Sequence, residues 1–140
     1  MKNTNPVYRN PEVVNKFVAE VEKKYKTDLA ARLFKFAVES FRYLQTILPK
    51  KEYDVFRYQI SKSASSIGAN YEEAQAAFSK KDFISKISIC LKEAREVHYF
   101  YRLLEDLKLG NDEKREYLRQ EAEELKRILG AILTRARKNL

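Results

Sequence analysis

Residues 61–97 read SKSASSIGANYEEAQAAFSKKDFISKISICLKEAREV, and the pattern around them decides the architecture. Tyr53, Phe56, Ile60, Ala64, Ile67, Tyr71, Ala74 and Phe78 recur at steps of three and four, which keeps one apolar line on one helix face. Beside it runs a small, polar stripe of Gln59, Ser63, Ser66, Asn70, Glu73 and Ala77, against which another backbone can approach closely. Gly68 costs about 1 kcal/mol mid-helix relative to alanine, and a close helix contact would justify it. Downstream, Phe83, Ile87, Cys90, Ala94, Val97, Tyr101 and Leu104 repeat the same spacing, flanked by Ile84, Leu91 and His98. Between the two runs, Ser79 has the chemistry of an N-cap, with Asp82 at capping-box spacing. Phe78 and Phe83 stand at the spacing of a hydrophobic staple. The stretch therefore predicts an antiparallel hairpin of two long helices, from about Glu52 to Phe78 and from Lys80 to Leu109, closing at Phe78–Lys81.

Two further helices complete the pattern. Leu33, Phe36 or Ala37, Ser40, Leu44 and Ile47 form one seam between Asp28 and Leu48, and Phe34, Phe41 and Leu48 form a second. Two seams imply burial on two sides. Pro49 ends that helix, because the residue before a proline is pushed out of helical geometry. Gly110 suits a left-handed stop, and Asn111 or Asp112 can cap a last helix to about Lys138. There Leu118, Ala122, Leu125, Leu129, Ile132 and Ala136 hold the seam, widened by Ile128 and Leu133. The expected fold is all-α: an antiparallel up-down four-helix bundle over residues 27–140. Residues 1–26 form an N-terminal extension in which Asn10–Pro11 starts a short amphipathic helix.

Composition agrees with one soluble, mostly helical domain. The chain has 140 residues, 44% hydrophobic and 34% charged, with three Gly and three Pro. A single cysteine, Cys90, excludes an internal disulfide and a cysteine-based zinc site, and its place on a seam marks it as packing. No apolar run reaches membrane-spanning length, and MKNTNPVYRN lacks a signal-peptide core, so a cytoplasmic, membrane-free protein is expected. The net charge is +8 and the pI about 9.5, a balance that favours polyanionic partners or simply solubility. The best candidates for phosphate contacts are Lys126, Arg127, Arg135, Arg137 and Lys138 on the last helix, then Lys80, Lys81 and Lys86 near the turn.

Glu73, Glu93 and Glu96 on facing helices suggest a di-iron site, but such sites need two Glu-x-x-His motifs. The only histidine, His98, follows Arg95 at that spacing. No metal, cofactor, P-loop or catalytic triad is expected, and the reading is a non-enzyme. Asn70, Glu73, Lys92, Glu93, Arg95 and Glu96 are instead expected to form a structural polar network, with Lys86 close by.

SIGANYEEA at 66–74, followed by SKKDFISKISICLKEARE at 79–96, resembles the signature block of a bacterial four-helix-bundle family. Its members include proteins encoded in intervening sequences of 23S ribosomal RNA genes. The accessory variability determinant of diversity-generating retroelements is a more distant relative. The resemblance runs from about Asp28 to Gly110 and weakly through the last helix. It implies a homo-oligomer, a pentameric ring by analogy with the retroelement relative, with RNA or DNA and a reverse transcriptase as expected partners. The apolar stripes on the first and third helices, too wide for one four-helix core, independently imply self-association. Two functions follow: an accessory protein that binds nucleic acid, or a self-assembling scaffold that binds another protein.

Overall fold

The computed structural model describes residues 28–138, together with Glu12, Lys16, Ala19, Glu20 and Lys23, which are helical. The Asn10–Pro11 helix start, and most of the extension expected over residues 1–26, lie outside the described residues. The four long helices are α1 (Leu29–Leu44), α2 (Asp54–Gln75), α3 (Lys80–Leu107) and α4 (Asp112–Lys138); a 3-10 turn at Lys51–Tyr53 leads into α2. There is no strand among the described residues. Each helix packs against the next, and α1 closes against α4. Cross-helix contacts fix the directions: Lys86 of α3 meets Glu73 of α2, Arg119 of α4 meets Glu105 of α3, and Arg32 of α1 meets Glu121 of α4. These pairings make neighbours antiparallel, consistent with the up-down bundle read from the heptads.

All three internal seams point inward. Ile60, Ala64, Ile67, Tyr71 and Ala74 of α2 share one core with Phe83, Ile87, Cys90, Ala94, Val97, Tyr101 and Leu104 of α3. Leu118, Ala122, Leu125, Leu129, Ile132 and Ala136 of α4 complete it. Near Gly68, α1 comes close: a Cβ built there would lie 3.6 Å from Leu33 Cβ. That is ordinary contact, so the close approach exists but also leaves room for a methyl group.

The helix ends show where local chemistry decides. Asp28 caps α1 by accepting from Ala31 N–H at 3.3 Å. This helix stops at Leu44, short of the expected Leu48: Thr46 donates to Tyr43 O from its N–H at 2.8 Å and its hydroxyl at 2.6 Å, and Ile47 N–H donates to Leu44 O at 3.3 Å, so the last turn tightens and ends. The Arg57 guanidinium donates to Ile47 O at 3.1 Å, to Leu48 O, and to Lys50 O at 3.4 Å. A side chain on the following helix thus supplies donors to the carbonyls of the link between α1 and α2. Ser79 caps α3 as expected, accepting from Asp82 N–H at 3.0 Å. Asp82 reaches back to Phe78 N–H at 3.3 Å, one residue before the cap, so the reciprocal bond of the capping box is shifted. Ser79→Ala should destabilise the fold by about 1 kcal/mol, read as a lower denaturation midpoint at constant slope.

The hydrophobic staple does not form, and α2 ends at Gln75 and not at Phe78. Ala77 turns into the core where the chain leaves the helix, and Phe78 is thrown outward to 86% exposure. The third helix likewise ends at Leu107, two residues early, on Lys108 in the left-handed region at φ 53. Gly110 follows at φ 74, so the expected left-handed stop is shared by two residues.

Candidate nucleic-acid interface

The structure sorts the sequence's candidate cations into different environments. Lys81, Arg137 and Lys138 are exposed and join no ion pair among the described residues. Lys80 is only 6% exposed, and burial lowers its pKa, so its ammonium is poorly placed to meet a phosphate. Lys86 is drawn 3.0 Å from Glu73, and that carboxylate raises its pKa. Arg127 pairs with Glu123 at 2.8 Å, one helical turn back. Arg135 pairs with Glu20 at 3.2 Å. Of the basic residues expected on α4, Lys126, Arg137 and Lys138 therefore remain without an ion pair among the described residues.

Most of the expected polar network does not assemble. Asn70 donates from Nδ2 to Ser66 O at 2.9 Å, and Glu73 takes Lys86, as its position on the seam's polar edge suggested. Lys92, Glu93, Arg95 and Glu96 form no ion pair among the described residues. Glu93 is buried, and its Oε2 has no hydrogen-bond partner among the described residues. Cys90 is also buried and donates from Sγ to Ile67 O at 3.4 Å. Desolvation, with Glu73 and Glu93 nearby, pushes its thiol up to about 12, which makes it inert as a nucleophile. No cluster among the described residues suits a metal ion, and no described helix is long and apolar enough to cross a membrane.

One basic group escaped the sequence reading. Arg95, His98 and Arg102 of α3 come together with Lys126 of α4 around an open pocket of about 400 Å³. Lys126 Nζ lies 3.3 Å from His98 Nδ1. Burial lowers the imidazole's pKa, and Lys126, Arg102 and Arg119 add to that effect against Glu123. The signal available in the sequence was basic spacing at 95, 98 and 102, which puts three side chains on one helix face. Lys126 could be added only with the α3–α4 register in hand.

Apolar residues are exposed on α1, on α2 and on the link between them. Phe34 is 70% and Leu48 60% exposed, with Phe41, Val55 and Tyr58 also open to solvent. These are the second seam of α1 and its continuation on α2. On α3 only Ile89, Tyr99 and Leu107 remain exposed among large apolar residues, so the width of its stripe is mostly used within the bundle.

Fold and surface together define a basic, all-α protein of the four-helix type. The chain belongs to the 23S rRNA-intervening sequence protein family, whose model matches residues 26–131 and so carries the likeness through most of α4. It is also similar to a crystal structure, at 1.70 Å resolution, of a protein of unknown function from the S23 ribosomal protein family of Bacteroides thetaiotaomicron. The two are 33% identical with a TM-score of 0.67, over 74% of this chain and 96% of that one. No curated protein matches the chain.

Proposed function

We propose that this protein is a non-enzymatic accessory module that self-associates and binds RNA or DNA through phosphate contacts, with little sequence preference. The observation that carries the reading is a net charge of +8 combined with cations that join no ion pair among the described residues. Lys81, Arg137, Lys138, Arg95, Arg102 and Lys126 are all of this kind. The family's description, which ties its members to intervening sequences of 23S rRNA, points the same way. Self-association is supported by the uncovered second seam of α1, since apolar patches of that kind usually mark contact surfaces. By the retroelement resemblance, the assembly is a pentamer and a reverse transcriptase is one partner it would serve. Repetition of a weak basic patch around one axis would multiply modest contacts into useful affinity.

Binding of this type releases counterions, so affinity should fall steeply between about 50 and 200 mM salt. Replacing Arg135, Arg137 and Lys138 together should flatten that dependence in a filter-binding titration. Light scattering on the same samples should show an oligomer larger than the 16.5 kDa chain, unchanged by the substitutions. If no nucleic acid is retained at low salt while the oligomer persists, the scaffold role replaces this one, with the Phe34–Leu48 seam as its contact face. A monomer would overturn the assembly.

A further inference from the structure

The pocket between α3 and α4 has the properties of a site for a phosphate group. Four basic side chains line it: Arg95, His98, Arg102 and Lys126, with Leu91 and Gly130 as the remaining walls. The three on α3 stand one and two turns apart on a single face, and Lys126 faces them from α4. Gly130, one turn beyond Lys126, leaves the mouth open, because a Cβ built there would meet nothing within 4 Å.

The neighbouring acids do not neutralise this group. Glu123, the carboxylate that His98 feels most, already holds Arg127 at 2.8 Å and Arg119 at 3.7 Å. Glu105 is held by Arg119 at 2.5 Å. Asp106, one turn from Arg102, makes no ion pair with it. Arg102 rests instead on the Tyr99 ring, 5.7 Å from its centroid, a contact that leaves guanidinium edges free to donate.

His98 sits at the back of the pocket at 9% exposure. Its Nδ1 faces the Lys126 ammonium at 3.3 Å, an arrangement in which Nδ1 accepts and Nε2 carries the proton. Two basic groups held this close repel each other once both are charged. An oxyanion relieves that repulsion by accepting from both, and the two arginines offer the planar donor pairs that suit phosphate oxygens. Concave walls concentrate the positive field further.

We propose that Arg95, His98, Arg102 and Lys126 form a seat for a phosphate group, supplied either by a nucleic-acid chain or by a free phosphorylated small molecule. The first source deepens the nucleic-acid reading above, and the second is independent of it.

The single histidine makes the test direct, because one imidazole CεH proton resonance reports on the pocket. Full-length protein is titrated with inorganic pyrophosphate, and separately with a short oligonucleotide carrying either a 5′-phosphate or a 5′-hydroxyl. Binding at the pocket should shift the His98 resonance and raise its apparent pKa in the complex. Lys126→Gln with Arg102→Gln should weaken that binding at least tenfold. Gly130→Glu, which places a carboxylate at the open mouth, should do the same, and circular dichroism checks that both variants keep their helices.

Pyrophosphate moving the resonance identifies a free phosphate as a ligand. The oligonucleotide moving it alike with either 5′ end identifies the backbone. A His98 signal unmoved by any probe, or moved equally in the wild type and in both folded variants, overturns the proposal. Filter binding separates the two readings: retention of nucleic acid with a silent His98 leaves the accessory role standing without this pocket. A responsive His98 without retention leaves the pocket standing as a small-molecule site.

Discussion

Replacing Gly110 with alanine is expected to lower the stability of the fold by about 3 kcal/mol. Two terms add. Gly110 has φ 74, and an L-residue held in that region costs roughly 1–2 kcal/mol. The new Cβ would also stand 2.8 Å from Tyr43 Cε2 and 2.8 Å from Thr46 Oγ1. Neither neighbour can easily retreat. Tyr43 is fully buried, and its hydroxyl donates to Leu109 O at 2.5 Å, while burial raises its pKa to about 12. Thr46 Oγ1 donates to Tyr43 O at 2.6 Å and accepts from Asn111 N–H at 2.9 Å. Arg115 adds a second donor to Leu109 O at 2.8 Å, so the turn after α3 is bolted to the end of α1. Overpacking such a site costs a further 1–3 kcal/mol. Urea denaturation measures the sum, and a loss below about 1 kcal/mol would mean that the turn rearranges freely.

The same turn shows what the sequence did and did not disclose. Gly110 was legible as a stop because glycine is the residue that enters left-handed geometry without strain. Its contact with Tyr43 was not, since nothing local links residues so far apart. The helical seams were legible throughout, because periodicity is written in consecutive residues and the core uses it directly. Helix ends were less so. The guanidinium of Arg57 holds the carbonyls of the link after α1 from the next helix, and no rule of capping by near neighbours anticipates that. Phe78 fits the heptad on paper, yet the helix ends three residues before it, at Gln75, and Ala77 takes the inward place. For the candidate site, composition revealed the positive charge but not its neutralisation. Lys86 and Arg135 find carboxylates on other helices only in the folded chain, Arg127 takes Glu123 one turn back on its own helix, and Lys80 loses its exposure. Conversely, Arg95, His98, Arg102 and Lys126 become one group only when α3 and α4 are set in register.

Ser40 is the polar residue in the α1 seam, and its replacement should show how the bundle tolerates it. Its Oγ accepts from the Tyr101 hydroxyl at 2.8 Å, and both residues are fully buried. The two are separated by 61 positions in sequence, and Phe36 and Tyr43 pack their rings against Tyr101 on either side. Burial raises the Tyr101 pKa despite the Ser40 hydrogen bond, so the phenol is a neutral donor at any physiological pH. Ser40→Ala leaves that donor without a partner in a dry core, which should cost about 2 kcal/mol. Tyr101→Phe should cost less, about 1 kcal/mol, because a serine within a helix can turn its hydroxyl to the carbonyl one turn back. The double variant should be no less stable than Ser40→Ala alone, since removing both partners leaves nothing unsatisfied. Additive losses in the double-mutant cycle would mean that the two hydroxyls contribute independently and that water serves each of them. A coupling of at least about 1 kcal/mol instead makes this bond a device for register: it holds α1 across the core from α3, and with it the outward position of the Phe34–Leu48 seam proposed above as the contact face for self-association.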